Sequence, residues 1–360
     1  MIALFAEWKK IARELAPAFA GLNLAIGVAI IARFLQGLLP APTLNRAISE
    51  ILIAVILGLY IRNAWGIAAS LEPGIKFAIN RVLRLGIILL GLRLSLQDVA
   101  ATGVSALLLV IACITIAFTL AYLAGRVFHI PPRLAALIGV GTAICGNSAI
   151  IATAPVIDAK EDEVSFAVAI ITLFGLIAVI FYPIIGQLFA LSDRAFGMWA
   201  GTAVNDTSQV VAVGAAYSPL ALNVATVVKL TRNTLIAPLI VLIGLIYNRS
   251  ESKTTLSPGK LIPWFVIAFL VMSLARTLGV AMGVLPQNVD KPGDLQIAAT
   301  TLKFFDETAK FAILAALAGV GLSTNLQSIV QIGIKPFVVG LCVAGVLAIT
   351  SLSIILGFGL

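Results

Sequence analysis

Long apolar runs alternate with short polar segments along almost the whole chain. Runs of about 18 or more apolar residues are typical of helices that cross a membrane. The pattern therefore predicts an all-α polytopic membrane protein with about eleven transmembrane helices. The predicted spans are Pro17–Leu39, Ile48–Ile61, Ile75–Leu92, Val104–Val127, Leu134–Ile157, Val164–Phe189, Ala195–Tyr217, Leu220–Tyr247, Leu261–Val284, Leu295–Leu322 and Pro336–Leu360. The second and third of these runs are short, and two arginines interrupt the third.

The fifth run has a polar centre where a plain membrane helix would have Leu, Ile or Val. From Gly141 to Ala149 it reads Gly-Thr-Ala-Ile-Cys-Gly-Asn-Ser-Ala. Glycine weakens a helix, and short polar side chains compete for its backbone hydrogen bonds. The seventh run has a similar stretch, which begins with Gly-Thr-Ala at Gly201 and continues through Asn205 and Asp206. We interpret the two stretches as breakable helix centres that face one site.

Interrupted helices have a specific use inside a membrane. An unpaired backbone group is costly in hydrocarbon, so an unwound helix persists only where it lines a cavity or is buried in protein. The free N–H groups of one half-helix favour an anion, and the carbonyls that end the other half-helix suit a cation. The expected substrate-binding residues are Gly141, Thr142, Cys145, Gly146, Asn147, Ser148, Thr202, Asn205, Thr207, Ser208, Gln209, Lys229 and Arg232.

Charged residues inside the runs add to this expectation. Lys229 and Arg232 are three residues apart and share a helix face, which must meet a partner or a water-filled cavity. Asp206 is a candidate for binding a coupling ion, or for pairing with one of these cations. In the tenth run, Asp306 and Glu307 lie between two lysines at spacings of three and four residues. They are further coupling-ion candidates if this helix is interrupted too, and otherwise a self-compensated polar seam.

Composition agrees with a membrane protein. Of the 360 residues, 61% are hydrophobic and 11% are charged, and the mean hydropathy is +1.10. Soluble domains carry about 25% charged residues. The net charge of +8 comes without a basic run, which argues against nucleic acid as a partner. Twelve basic residues fall in the loops on one side of the predicted spans and four on the other. This bias predicts a cytoplasmic N-terminus and an external C-terminus.

Several classes of function are disfavoured by what the chain lacks. It has a single histidine, three cysteines without metal-ligand spacing, and no Gly-x-x-x-x-Gly-Lys-Ser/Thr motif. We therefore expect no enzyme, no metal site and no cofactor beyond a coupling Na⁺ or H⁺. A channel would also fit a membrane protein, but paired broken helices suit alternating access better.

The predicted domain organisation has four segments. They are an interfacial N-terminal helix (1–16), helices one to eight (17–247), a cytoplasmic linker (248–260) and helices nine to eleven (261–360). The stretch from Gly91 to Ser95 is echoed from Gly319 to Ser323. With the first span set aside, this echo fits two inverted sets of five helices. The Gly-Thr-Ala echo pairs the fifth run with the seventh instead, and we interpret it as similar local chemistry.

The fifth-run motif also carries a family resemblance. Gly141–Ala149 closely resembles the signature of the YeiH-type sulfate exporter family, and the similarity covers nearly the whole chain. It extends through residues 85–94, 206–210, 229–232 and 304–326. In that family a histidine often precedes the acidic residue of the seventh span, whereas here Asn205 precedes Asp206. The departure makes proton coupling less secure.

The resemblance implies a place beside cation–proton antiporters and bile acid–sodium symporters. It implies two inverted five-helix repeats, broken helices that cross at the midplane, core and panel domains, a homodimer, and elevator movement. The leading hypothesis is a secondary active transporter that moves a small anion, such as sulfate or an organic sulfonate or carboxylate, across the bacterial inner membrane. The alternative is a monovalent cation–proton antiporter. The expected partners are the anion, the lipid bilayer and a second copy of the chain.

Overall fold

The computed structural model describes residues 2–38, 49–247, 264–287, 295–325 and 333–359, with backbone alone for residues 2–18, 237 and 245. Over these ranges the chain is helical and forms no strands. Six helices of the described chain are long and apolar enough to cross a membrane. The prediction of an all-α polytopic membrane protein is therefore confirmed. The predicted linker (248–260) lies outside the described residues.

The helices are numbered here in chain order. They are α1 Ile2–Gly37, α2 Glu50–Ala64, α3 Glu72–Phe77, α4 Leu83–Leu90, α5 Leu96–Val127, α6 Pro132–Ala143, α7 Asn147–Thr153, α8 Glu161–Leu188, α9 Asp193–Ala203, α10 Thr207–Tyr217, α11 Pro219–Thr234, α12 Ile236–Tyr247, α13 Trp264–Ala281, α14 Gln296–Ser323 and α15 Ile334–Phe358. The chain divides into two compact units. The first comprises Met1–Arg93 and Leu278–Leu326, and the second comprises Leu94–Thr277 and Gln327–Leu360.

The first unit is built around α14, which packs closely against α2. A side chain on Gly58 would lie 2.6 Å from a carbonyl oxygen of α14, and one on Gly321 would lie 2.3 Å from a carbonyl oxygen of α2. Small residues thus let the two backbones touch. Helix α14 is continuous over its 28 residues. The idea that the tenth run is an interrupted helix is therefore wrong, because its charges pair within the unit and leave the backbone hydrogen bonds intact.

The irregular helix of the first unit is the third predicted run. It begins as a short 3₁₀ turn at Ala69–Leu71, continues as α3, and widens to a π-helix at Ala78–Val82 before α4. Arg81 lies in the π segment. The predicted interfacial N-terminal segment and the first span form one helix, α1, of which Phe19–Gly37 is apolar enough to cross a membrane.

In the second unit, the fifth run folds back on itself. Helix α6 ends at Ala143, and α7 begins four residues later in the reverse direction. Two contacts show the reversal. A side chain on Gly141 would lie 2.9 Å from the Ile150 side chain, and the ends meet where Arg133 Nη2 lies 3.4 Å from Asp158 Oδ2. The prediction that this run crosses the membrane is wrong, since both ends of residues 132–158 lie together. We call this segment hairpin 1.

The seventh run is a second hairpin and not a crossing helix. Helix α9 ends at Ala203, and α10 begins at Thr207. The aromatic rings of Phe196, near the beginning of α9, and Tyr217, at the end of α10, stack with centroids 3.8 Å apart. The Tyr217 hydroxyl also donates to the Leu191 carbonyl at 2.5 Å. Residues 193–217 therefore enter and leave on one side, and we call them hairpin 2.

The long helix α8 joins the two hairpins. Hairpin 1 ends just before Glu161, the first residue of α8, and hairpin 2 begins just after its last residue, Leu188. The 28 residues of α8 span ~42 Å at 1.5 Å per residue, enough to cross a bilayer. The hairpins therefore enter the second unit from opposite ends of α8, with their tips (residues 144–148 and 204–208) pointing inward.

Candidate functional site

The tip of hairpin 1 turns on Gly146. This residue has φ +68° and ψ −128°, which an L side chain rarely adopts. Its N–H donates to the Gly141 carbonyl at 3.0 Å, which closes the end of α6. It is also the N-cap of α7, which receives no side-chain cap. The glycine that the sequence marked as a helix breaker is thus the point where the chain reverses.

The tip of hairpin 2 is capped by its own carboxylate. Asp206 is the N-cap of α10, and its Oδ1 accepts from the Ser208 N–H at 2.9 Å and from the Ser208 hydroxyl at 2.7 Å. Gln209 completes a capping box, because its Oε1 accepts from the Asp206 N–H at 3.3 Å. A carboxylate in this place also complements the positive end of the helix dipole.

The two tips meet at these cap residues. A side chain built on Gly146 would lie 3.0 Å from Asp206 Oδ2 and 3.1 Å from its Cα. Gly146 and Asp206 each follow the glycine of a Gly-Thr-Ala sequence by five residues, so the tips meet at equivalent positions. Glycine is needed here both for its backbone angle and because the other tip occupies the space of a side chain.

Helix α8 holds both tips near its middle through Thr172. The Thr172 hydroxyl accepts from Asn147 Nδ2 at 3.2 Å, and its carbonyl accepts from Gln209 Nε2 at 3.1 Å. Thr172 is ~16 Å along α8 from Glu161 and ~24 Å from Leu188. The tips therefore meet beside the middle of α8, far from either of its ends. Gly175 makes room for Gln209, whose Oε1 would lie 1.7 Å from a side chain at this position.

The two basic residues of α11 bind backbone carbonyls where the first half-helix of each hairpin ends. Lys229 and Arg232 are fully buried. Lys229 Nζ donates to the Val204 carbonyl at 3.0 Å and also to the Asn205 carbonyl. Cations at helix C-termini are favoured by the negative end of the helix dipole. Together the two residues offset the partial negative charge at the C-terminal ends of α6 and α9.

Arg232 connects the two hairpins directly. Its Nε and Nη2 donate to the carbonyls of Ala143 and Thr142 at the end of α6. Its Nη1 donates to the Thr202 carbonyl at 2.7 Å and the Val204 carbonyl at 3.1 Å at the end of α9. The planar fork of one guanidinium thus serves both broken helices, which a lysine could not do.

Polar atoms without partners remain around the tips. Among the described residues, these buried oxygens accept no hydrogen bond: Thr142 Oγ1, Asn147 Oδ1, Asn205 Oδ1 and Asn233 Oδ1. Ser148 is exposed, and Asp206 and Thr207 are half-buried. Buried polar groups normally have partners. The tips therefore combine open hydrogen-bonding groups with accessible ones, as a binding site for a small polar ligand requires.

Most of the predicted substrate-binding residues come together at the tips. Thr202 packs elsewhere, because its hydroxyl lies 2.6 Å from that of Ser351 on α15 and also donates to the Met198 carbonyl. Cys145 is buried within the tip of hairpin 1. Lys229 and Arg232 lie behind the tips, with their donors on backbone carbonyls. These positions define the surroundings of each residue, and the substrate-binding roles stay predictions.

Two of the coupling-ion candidates lie elsewhere. Asp306 and Glu307 belong to α14 in the first unit, where Asp306 lies 3.2 Å from Arg93 and 2.9 Å from Lys310. Glu307 pairs with Lys310 at 2.7 Å. This arrangement is the polar seam that the spacing of three and four residues allowed. Of the three candidates, only Asp206 lies at the tips.

Three residues at the site were missed by the sequence reasoning. Thr172 and Gly175 are three apart in a run of bulky apolar residues, and this spacing on one helix face was the available signal. Asn233 follows Arg232 directly and donates to the Thr207 hydroxyl at 3.4 Å. Nothing local marks it as part of the site.

Comparison with known proteins places the chain in a family. Residues 20–340 match the family model described as "Conserved hypothetical protein 698". The chain belongs to the UPF0324 membrane protein family. A UPF0324 membrane protein of Fusobacterium nucleatum is 34% identical over 84% of this chain and 87% of its own length. One from Clostridium tetani is 33% identical over 90% and 92%, and one from Bacillus anthracis is 36% identical over 89% of each. The family is thus one of membrane proteins, and these names state no activity.

Proposed function

We propose that the chain is a secondary active transporter for a small anion, which binds at the meeting tips of the two hairpins. The observation that carries the proposal is the contact of two re-entrant hairpins deep in the second unit, around a half-buried carboxylate. Non-helical backbone at membrane depth is tolerated only inside protein or along a water-filled cavity. Ionisable residues at that depth mark substrate or ion pathways. Two hairpins entering from opposite ends suit a site that opens to each side in turn.

The charges at the tips favour an anion. Lys229 and Arg232 are two basic groups against the single carboxylate of Asp206 among the described tip residues. The four half-helix ends contribute about half a charge each, two of either sign, and so cancel. Basic groups therefore outnumber acidic ones in a poorly solvated place. The exposed hydroxyl of Ser148 and the unpartnered hydroxyl of Thr142 can each donate to an oxyanion such as sulfate, a sulfonate or a carboxylate.

Asp206 is the natural place for a coupling ion. Its Oδ1 is held by Ser208, while Oδ2 faces Gly146 across the tip contact. Sodium or a proton on this carboxylate would offset its repulsion of an anionic substrate, so that the two bind together. The same carboxylate, close to the buried Lys229, also favours a second candidate function, a monovalent cation–proton antiporter.

The remaining features of the proposal concern the whole protein. One unit holds both hairpins and the other holds the continuous α14, which supports an elevator-type division into core and panel domains. We further propose a homodimer in the bacterial inner membrane, with the N-terminus cytoplasmic and the C-terminus external. Because the two hairpins do not cross the membrane, the proposed topology differs from the predicted one at two loops. The loop with Lys160 lies on the cytoplasmic side and the loop with Arg194 on the external side. This exchange leaves the balance of loop charges, and thus the orientation, unchanged.

Transport by purified protein in proteoliposomes tests the proposal. We expect sulfate or sulfonate counterflow that is reduced at least tenfold by Ser148→Ala and by Asp206→Asn. Ser353→Ala is the matched control, because this exposed hydroxyl donates only to a carbonyl of its own helix. Size-exclusion profiles establish that each variant is folded.

The outcomes separate the two candidate functions. Anion counterflow that persists without a sodium or proton gradient excludes the antiporter. Sodium-driven proton movement with no need for an anion excludes the anion transporter. Full activity in both Ser148→Ala and Asp206→Asn would remove the tips as the site.

A further inference from the structure

An apolar groove of about 690 Å³ lies in the second unit, away from the hairpin tips. Helices α5, α6 and α12 form its walls. Its floor consists of small or branched buried residues, which include Ala121, Gly125, Ala135 and Ile243. A side chain on Gly125 would lie 2.6 Å from the Ala135 side chain, so glycine brings α5 and α6 close at the bottom of the groove. The size and apolar lining suit a hydrophobic ligand.

One end of the groove is polar and basic. Arg126 is exposed and lies above the Tyr122 ring, with its guanidinium carbon 5.6 Å from the ring centroid and Nη1 3.1 Å from the hydroxyl. Tyr247 also lines this end, and its hydroxyl donates to the Pro132 carbonyl at 3.2 Å. Within the described part of the chain, no carboxylate pairs with Arg126. The guanidinium is therefore available to an anionic ligand.

The groove is placed as a membrane lipid would need it. Arg126 precedes the last residue of α5 and Tyr247 ends α12, so the polar end lies where two membrane helices end. Phe118, at the far end of the lining along α5, is eight residues or ~12 Å deeper. The long axis thus runs from the membrane surface into the hydrocarbon. Tyrosine and arginine are favoured at that surface, where an apolar body meets a polar headgroup.

We propose that this groove binds an anionic phospholipid, with an acyl chain against the small residues and the headgroup phosphate on Arg126. Basic pockets between membrane helices recognise anionic headgroups in this way. Helix α6 is both a wall of the groove and the first half of hairpin 1. A bound lipid therefore packs against the outer side of hairpin 1, while its tip faces the site. The proposal is independent of the transported substrate, because it rests on the outer face of α6.

Lipid retention measured by native mass spectrometry tests the proposal. The full-length protein is purified in micelles with equal amounts of phosphatidylglycerol and phosphatidylcholine. We expect it to retain phosphatidylglycerol about fivefold more, as one arginine near a membrane surface provides. Arg126→Gln removes this preference, and Ala136→Phe, which fills the groove, removes retention of both lipids. Arg194→Gln is the matched control, an exposed arginine at the open end of hairpin 2.

Three outcomes of the lipid-preference measurement would overturn the site. They are equal retention of the two lipids by the unaltered protein, an undiminished preference in Arg126→Gln, and a loss in Arg194→Gln as large as that in Arg126→Gln. If Ala136→Phe elutes as an aggregate on size exclusion, Thr119→Phe replaces it. Thr119 is exposed and lines the same groove, so a larger side chain there fills it without disturbing the core. Retention of phosphatidylglycerol in a folded groove-filled variant would also contradict the proposal.

Discussion

Hairpin 1 and hairpin 2 begin from the same short sequence and end as different structures. In both, the first half-helix ends at the alanine of Gly-Thr-Ala, and Arg232 binds the carbonyls at that end. The N-cap of the second half-helix then differs: it is Gly146 in hairpin 1 and Asp206 in hairpin 2. The Gly-Thr-Ala echo therefore reflects equivalent positions in the fold, beyond similar local chemistry.

The two N-cap residues give the two tips different charge and exposure. Asp206 caps its own helix and holds Ser208, which is buried, so the tip of hairpin 2 is closed on itself and carries the charge. Ser148, the equivalent residue of hairpin 1, is exposed, and α7 has no side-chain cap. Hairpin 1 is thus the tip whose serine hydroxyl is exposed. In the proposed transporter, hairpin 2 would hold the coupling ion and hairpin 1 the substrate.

The largest expected effect comes from replacing Arg232, which binds both hairpins. In Arg232→Leu, the ends of both hairpins lose the guanidinium donors, and the buried carbonyls of Thr142, Ala143 and Thr202 are left unpaired. We expect a loss of ~3–5 kcal/mol in the free energy of unfolding, as when one partner of a buried charged contact is removed. Thermal unfolding in detergent measures the loss, and hydrogen exchange should rise in both hairpins. Exchange that rises in one hairpin alone would show that Arg232 does not link them; Arg194→Leu is the exposed control.

An intermediate effect is expected where the tips touch. Gly146→Ala places a side chain in a left-handed backbone conformation and against Asp206, at a cost of ~1–3 kcal/mol. Asp206→Gly removes the opposing side chain. The double variant should therefore be less destabilised than the sum of the single ones. A double-mutant cycle on thermal stability gives this coupling, and strict additivity would contradict contact between the tips.

The smallest effect on stability is expected at Thr142, and Thr202, its equivalent in hairpin 2, provides the comparison. Thr202→Val removes the buried contact with the Ser351 hydroxyl, which costs ~1–3 kcal/mol. Thr142→Val replaces a buried oxygen that already lacks a partner, so stability should stay the same or rise. If the Thr142 hydroxyl binds substrate, the Michaelis constant for transport rises while the melting temperature does not fall. A large loss of stability in Thr142→Val would disprove this assignment.

Much of the tip composition was predictable from local sequence. The polar stretches at Gly141 and Gly201 stand out in apolar runs, and the structure places the chain reversals there. The contribution of α8 was not predictable in the same way. Thr172 is a common residue in a membrane helix, and its importance depends on two side chains, Asn147 and Gln209, that reach it from other helices.

The partners of Lys229 and Arg232 could also not be predicted from the local sequence. Lys229 and Arg232 are unusual at membrane depth, so the sequence indicated that they have partners. It suggested Asp206 or a cavity, whereas the structure provides backbone carbonyls of both hairpins. Those carbonyls are free to accept hydrogen bonds only because α6 and α9 end there. Where a helix ends depends on what is packed around it.

The sequence by itself determined that this chain lies in a membrane and that its fifth and seventh apolar runs break. Transfer free energy adds up residue by residue, and glycine and short polar residues weaken a helix wherever they occur. Only the tertiary structure decided that the broken runs turn back. Residues 132–158 are apolar enough for one crossing or for a buried hairpin, and hydropathy is the same for both. The choice rests on the left-handed turn at Gly146, the Arg232 contacts with both helix ends, and the pairing of tips across Thr172, all of which join residues distant in the chain.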